Sequence, residues 1–551
     1  MKLKKQMSKA GKKIVLYVSF LCCFLAFSSC SHHSNDKNIF RYNEQSGIAT
    51  LDPAFAKNQS IMWAVHQIYN TLVQIDNNLN LVPSLAKSWD ISADNLLFTF
   101  HLRNDVYFQD NEAFPGGKGR KMTAADVVYS FSRILDKSIA SSGAWIFNGR
   151  VDTTEPFKAI DDTTFQLKLL KPFHPILGVM SMQYCSVVPK EVVEKYGKDF
   201  RRHPCGTGPF QMVAWEEDQA MVLKKNPRYF EKDSNGVRLP YLDGIKITFL
   251  QNKATEFLEF QQKRLDFINE IDPSFKDEVL AKSGQLRSDW KGKINLVTHP
   301  ALTIEYLGFL CDSSLPLVRN SPLKDVRIRK AFNYGFNRKK MILYIRNSIG
   351  TAAESGFVPA AFPSFDSGAV KGYDYNPQKA LQLLKEAGFP NGKGLPAFKL
   401  LTVPLYADIA SYIANELLQI GITINVEVVQ KSLLLEQTAK SEALFFRGSW
   451  IADYPDAENF LSVFYSKNPA PPNYTRYNNP TFDKLYEKAL SEKNDSTRYK
   501  IYQQADQVMI KDAPVMPLWY DMVIWLVQPS VKNFVPNGLN LLELRKVKLE
   551  N

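Results

Sequence analysis

Residues 398–429 read FKLLTVPLYADIASYIANELLQIGITINVEVV, and their periodicity changes twice. An apolar run predicts a strand over 398–403. A helix follows over 409–419, and a second strand over 422–429 sets Ile422, Ile424, Val426 and Val428 on one face. A strand-helix-strand unit of this kind argues for a mixed α/β lobe. Just upstream, Asn376 caps a helix with Pro377 at its first position and Gly388 past its end, with Ala380, Leu381 and Leu384 on the buried side. At 551 residues the chain exceeds one typical domain, so two or three lobes with sizeable cores are expected.

Downstream, residues 447–460 read RGSWIADYPDAENF and follow an apolar run at 443–446. Such a segment is expected to leave a buried strand and line a cleft. Arg447 lies three residues before Trp450, and Asp453 lies three after it. Opposite charges flanking a flat apolar side chain suit a small zwitterion, whose ammonium seeks a carboxylate and whose carboxylate seeks a guanidinium. Read locally, an aspartate near a turn is more often a cap, and Asp456 reads as the N-cap of a helix over 457–464. Towards the N-terminus, Phe98, Phe100 and Leu102 alternate with Thr99, His101 and Arg103 as in a half-buried strand. Thr123 and Asp126 then make a capping box for a helix with one apolar stripe.

The formal charge is +12, but six lysines and no acids fall in the first 29 residues, which leaves +6 for the rest. Without a long basic run, that charge is a solvated surface and excludes nucleic-acid binding as a function. The lysines precede an apolar run at 14–27, then Ser28 and Ser29 before Cys30, which are the parts of a secretory signal. Small residues before a cysteine resemble the bacterial lipobox, with Phe27 where leucine is usual. The expectation is a lipoprotein signal peptide over 1–29, a lipidated tether over 30–38 and an anchor through Cys30; an ordinary signal cut nearby is the alternative. With Cys22, Cys23 and Cys30 so assigned, Cys185, Cys205 and Cys311 remain. Either Cys185 and Cys205 form a disulfide and Cys311 is free, or all three are buried thiols.

A series of ordered segments carries a resemblance. PSLAKSW (83–89), FTFHLRNDVYF (98–108) and MTAADVVYSFSR (122–133) are followed by GTGPF (206–210), NPRYF (226–230), DVRIRKAFNYGFNR (325–338), AGF (387–389) and WIADYPD (450–456). Together they resemble the extracellular solute-binding proteins, family 5, which deliver peptides, and sometimes nickel or other solutes, to ATP-driven importers. The resemblance spans essentially the whole mature chain. It implies a two-lobed, periplasmic-binding-protein-like α/β fold of the class II type with an additional domain and mixed sheets flanked by helices. Lobe I is expected over 39–80, 205–295 and 515–551, the additional domain over 81–204, and lobe II over 296–514.

The resemblance also implies lobes that close on an extended peptide bound much as an added strand. Asp453 would hold its α-ammonium, Arg447 the carboxylate of a short peptide, Trp450 would form a wall, and Tyr454 would contact ligand backbone or pack. Arg447 has a structural alternative, pairing with Asp453 or Asp456. Trp63 and Trp145 are candidates for the facing lobe, held apart from these four. The implied partners are a peptide, a permease, an ATPase and a membrane reached through the anchor, with the protein a monomer at a periplasmic or cell-surface address. A nickel chelate or another non-peptide solute is the alternative ligand, disfavoured because such members tend to lack the ammonium-binding aspartate.

Catalytic signatures are missing: the sequence contains no HExxH, GxSxG or GxGxxG, and none of its seven histidines is paired at helical ligand spacing. No catalytic residue, cofactor or metal site is therefore expected, and a secreted peptide hydrolase is the lesser reading. GTGPF lacks the lysine of a phosphate loop and reads instead as a tight crossing between lobes.

Overall fold

The computed structural model describes residues 38–550. The expected signal peptide, Cys30, and the tether up to residue 37 lie outside the described residues. An eleven-stranded sheet organises the chain: β1 (Ile39–Asn43), β2 (Phe210–Glu216), β3 (Ala220–Lys225), β4 (Gly244–Thr248), β5 (Phe267–Asn269), β6 (Asn295–Phe309), β7 (Thr351–Ala352), β8 (Phe398–Thr402), β9 (Ile424–Val428), β10 (Phe445–Ile451) and β11 (Val515–Val527). Across the sheet the order is β9-β8-β10-β6-β11-β5-β1-β4-β3-β2, with β7 beside β11.

The long strands β6 and β11 form the middle of the sheet. They pair antiparallel from Asn295↔Val527 to Gly308↔Val515, and their register slips between Pro300 and Ile304 and again between Glu305 and Tyr306. Before the slips, β11 carries β5 at Phe267↔Val527, and through it β1, β4, β3 and β2. Across and beyond the slips, β6 carries β10 from Thr303↔Ile451 to Phe309↔Phe445. Irregularities of this kind bend a ladder and raise its local twist. Pro300 adds a residue with no N–H to give.

At the other end of the sheet, β8 and β9 pair in parallel from Phe398↔Ile424 to Thr402↔Val428. Helix α1 (Ala124–Leu135) comes earlier in the chain; here α2 (Ala407–Leu418) connects the two strands and buries Ala410, Ile413 and Leu417. The alternation expected after residue 421 holds at Ile422 and Ile424, which are buried, but Val428 is exposed. β9 is the outermost strand, so its far end has no neighbour to cover it.

A separate four-stranded sheet, Ala86–Ile91, Leu97–Leu102, Thr164–Lys168 and Phe157–Asp161 in that order, backs α1. Phe98, Phe100 and Leu102 are fully buried, as their alternation requires. Asp126 accepts from the Thr123 N–H at 2.9 Å, closing the capping box, and α1 buries Val127, Phe131 and Ile134. The GTGPF segment packs backbone to backbone against the end of helix Gln59–Ile68: a Cβ on Gly206 would lie 2.2 Å from the Ile68 carbonyl oxygen, so only glycine fits.

The disulfide between Cys185 and Cys205 is not formed; these and Cys311 are all free thiols. The Cys185 Sγ faces the Val179 carbonyl and the Cys205 Sγ faces that of Gln109, so each is committed to its own buried surroundings. Burial pushes the Cys205 thiol up to about 12 and the Cys185 thiol higher. Thiols this reluctant to ionise react slowly. The native protein should therefore resist alkylation at these positions. In urea without reductant, peptide mass analysis should find all three alkylated, and a linked Cys185–Cys205 peptide would overturn the assignment.

Candidate functional site

The site is built on β10 and the turn after it. Phe445 and Phe446 are buried and anchor the strand. On one side β6 pairs with β10 along its whole length, whereas β8 reaches it only at Leu401↔Phe446. Beyond Phe446, one edge of β10 therefore carries no strand among the described residues. An open edge of this kind offers backbone groups to an extended chain.

Past Ile451 the Ala452 N–H donates to the Leu302 carbonyl and the chain turns, with the Asp456 N–H donating to the Tyr454 carbonyl. The Asp456 carboxylate accepts from the Glu458 N–H at 2.9 Å and the Tyr502 hydroxyl at 2.8 Å. Asp456 sits one residue before the N-cap, Ala457, of the next helix, which is short: Glu458–Leu461, continued by a tighter turn over Ser462–Phe464. Arg498 lies 3.4 Å from Asp456 and 2.9 Å from Asp495 and fixes this turn from behind.

Asn459, buried in the first turn of that helix, holds the site together. Its Oδ1 accepts from Trp450 Nε1 at 2.8 Å and from the Asp453 N–H at 3.3 Å, and its Nδ2 donates to Asp453 Oδ2 at 3.2 Å. Asp453 opens onto a cavity of about 610 Å³ whose walls include Trp145, Phe173, Trp450 and Tyr465. Its carboxylate reaches the solvent of the cavity but is ringed by protein. The lost hydration raises its pKa above the ordinary aspartate range, and the Asn459 hydrogen bond opposes the rise. Asp453 makes no ion pair among the described residues. A carboxylate oriented by an amide, exposed to the cavity and without an ion-pair partner among the described residues, suits a cationic ligand.

Trp450 is half-buried and forms a wall of the cavity. Tyr454 also borders it, yet is buried as part of the core, while its hydroxyl and that of Tyr486 donate to Glu458. Arg447 is elsewhere. Its guanidinium pairs with Glu305 and lies 3.8 Å from the centre of the Tyr406 ring, and the Tyr406 hydroxyl donates to Glu305 at 3.1 Å. The partner expected for a structural role, Asp453 or Asp456, is thus replaced by Glu305. Burial pushes the Glu305 carboxyl up to about 7, against the pull of Arg447. Of the two further tryptophans, Trp145 lines the cavity, whereas Trp63 is a core residue whose indole N–H donates to the Asn540 carbonyl at 2.7 Å.

The profile of bacterial extracellular solute-binding proteins, family 5 Middle, matches residues 80–472. The chain belongs to this family. Family 5 relatives differ in what their names say they carry. Heme-binding protein A of Haemophilus influenzae is 29% identical over 522 residues, covering 91% of this chain and 90% of its own length. The dipeptide-binding protein of Escherichia coli is 26% identical over 502 residues, 88% of this chain and 89% of its own. A solved structure, the ABC transporter-associated periplasmic binding protein DppA from Helicobacter pylori in complex with the peptide STSA, superposes with a TM-score of 0.74 at 26% identity, over 94% of this chain and 99% of the other. Two lobes and the capture of a solute outside the cell are therefore family 5 properties of this chain. The cargo has to be argued from the site.

Proposed function

We propose that this family 5 protein captures short peptides bearing a free α-ammonium between its lobes and delivers them to the permease and ATPase of an ABC importer. A lipid on Cys30 would hold it, as a monomer, at a bacterial membrane facing the periplasm or the exterior. The observation that carries this reading is Asp453, an oriented carboxylate with no cation of its own, at the end of an open strand edge. Main-chain pairing along β10 leaves side chains in a roomy, hydrated cavity, so one protein accepts many sequences. The dipeptide-binding relative and the peptide complex of the Helicobacter pylori protein support it.

A non-peptide solute is the second reading. The aromatic walls Trp145, Phe173, Trp450 and Tyr465 favour it, as does the relative named for heme. Among the described residues no group of three or more His, Cys, Asp or Glu side chains is placed to hold a metal ion, which counts against a bare cation. Native mass spectrometry of the mature, unlipidated protein, before and after addition of a mixed pool of two- to six-residue peptides, should show retained peptides. A protein that stays empty, or that carries a metal or a non-peptide mass, would move the function to the second reading.

A further inference from the structure

The cavity in front of Asp453 also contains two cationic side chains that an ammonium contact leaves unused, Arg150 and Lys171. Arg150 is built in: its Nη1 donates to the Trp145 and Ile146 carbonyls at 3.1 and 3.2 Å, and its guanidinium lies 4.6 Å from the centre of the Phe173 ring. These contacts fix the group while giving it no carboxylate; among the described residues neither Arg150 nor Lys171 makes an ion pair. Lys171 is exposed at the rim.

The charges in the cavity do not cancel once a peptide is bound. Asp453 would be neutralised by the ligand ammonium. Glu458 is then the acidic group of the lining facing Arg150, and it is buried behind the hydroxyls of Tyr454 and Tyr486, with its pKa raised by that burial; Glu487, which Lys171 also meets from outside the lining, is already paired with Lys467. One positive charge is left over, inside walls that are otherwise aromatic and proline-rich. Such an excess in a recessed site attracts an anion more strongly than it would in open water.

We infer that the preferred ligand has a carboxylate on the side chain of its first residue, with Asp453 taking the α-ammonium, Arg150 and Lys171 taking the side-chain carboxylate, and Phe173 and Trp145 packing its methylene stem. This rests on the peptide-binding reading above. The acid is assigned to the first residue because the cations share a cavity with the group that would hold the first nitrogen. A planar guanidinium already propped on carbonyls and a ring loses little freedom on receiving a carboxylate.

Isothermal titration of Glu-Ala-Ala and Gln-Ala-Ala tests it. The wild-type protein should prefer the glutamyl peptide on the order of tenfold, and the preference should shrink as salt is raised. Arg150→Gln with Lys171→Gln should abolish the preference by weakening Glu-Ala-Ala more than Gln-Ala-Ala. Lys171→Gln alone, at an exposed position, should reduce it in part, which keeps the test available if the double variant folds poorly. Equal wild-type affinities would overturn the inference alone. So would a double variant that weakens both peptides alike, since the cations would then be meeting the shared terminal carboxylate. Failure of the wild-type protein to bind either peptide would remove the peptide-binding reading together with the inference.

Discussion

Asp453→Asn is expected to lower affinity for free-amine peptides on the order of a hundredfold, because truncating one side of a desolvated, hydrogen-bonded charge pair costs about 2–5 kcal/mol. Thermal unfolding should hardly change. The Asp453 N–H still donates to Asn459, and an amide oxygen can replace the carboxylate oxygen that Asn459 Nδ2 now reaches. The charge removed makes no ion pair among the described residues, so its loss costs the empty protein little. N-acetylated peptides give the matching control: they should bind wild type as weakly as free peptides bind the variant, and the variant should not distinguish the two forms. The sign of the pH dependence follows from the raised pKa of Asp453. Pairing with an ammonium needs the ionised carboxylate, so affinity should fall on acidification sooner than an ordinary aspartate would allow. Stability of the empty protein should run the other way. A carboxyl whose folded pKa is raised contributes stability below its unfolded value, 3.8, and loses it as pH climbs through the folded one. An asparagine variant that binds free-amine peptides as tightly as wild type would sink the ammonium assignment.

The sequence is most readable where one local period governs. The unit at 398–429 is such a case, since β8, α2 and β9 each show their own repeat, and so is α1 with its capping box. The Asp453 turn is also local: Trp450, Asp453 and Asn459 lie within ten residues, and only the role of Asn459 went unread. Arg447 shows how the same segment misleads. Three residues from Trp450 suggests one cluster, but in a strand side chains alternate, so positions 447 and 450 point to opposite faces. Accordingly Trp450, opposite Ile304, packs beside the core of Phe460 and Tyr502, while Arg447, opposite Leu307, turns to the other face. Glu305 lies 142 residues away and meets Arg447 only because β6 and β10 are neighbours. A single sequence carries no mark of that pairing. The same holds for the cysteines, whose spacing allows a bridge that their separate burial does not make.

The Glu305–Arg447 pair carries the second large prediction. Both side chains are largely withdrawn from water, at 6% and 13% exposure, and the Arg447 Nε is buried with no partner among the described residues. Glu305→Ala should therefore destabilise the protein by about 3–5 kcal/mol, because it strands a guanidinium whose remaining support is the Tyr406 ring. Replacing both partners, Glu305→Leu with Arg447→Met, should restore most of that loss, since apolar groups of similar volume escape the desolvation cost. The pH profile separates the pair from other buried carboxyls. Glu305 is raised from 4.5 to about 7, so its contribution to stability is complete below pH 4.5 and is lost as pH rises towards 7. The double variant should lack that part of the decline, and identical slopes in wild type and variant would exclude Glu305 as its source. Binding then decides what Arg447 is for. If the stable double variant holds a tripeptide as wild type does, Arg447 serves the fold, tying β10 to β6 beneath the ligand edge. If affinity falls while stability is kept, and amidating the peptide terminus costs wild type the same amount, Arg447 receives the ligand carboxylate while Glu305 holds the guanidinium in place.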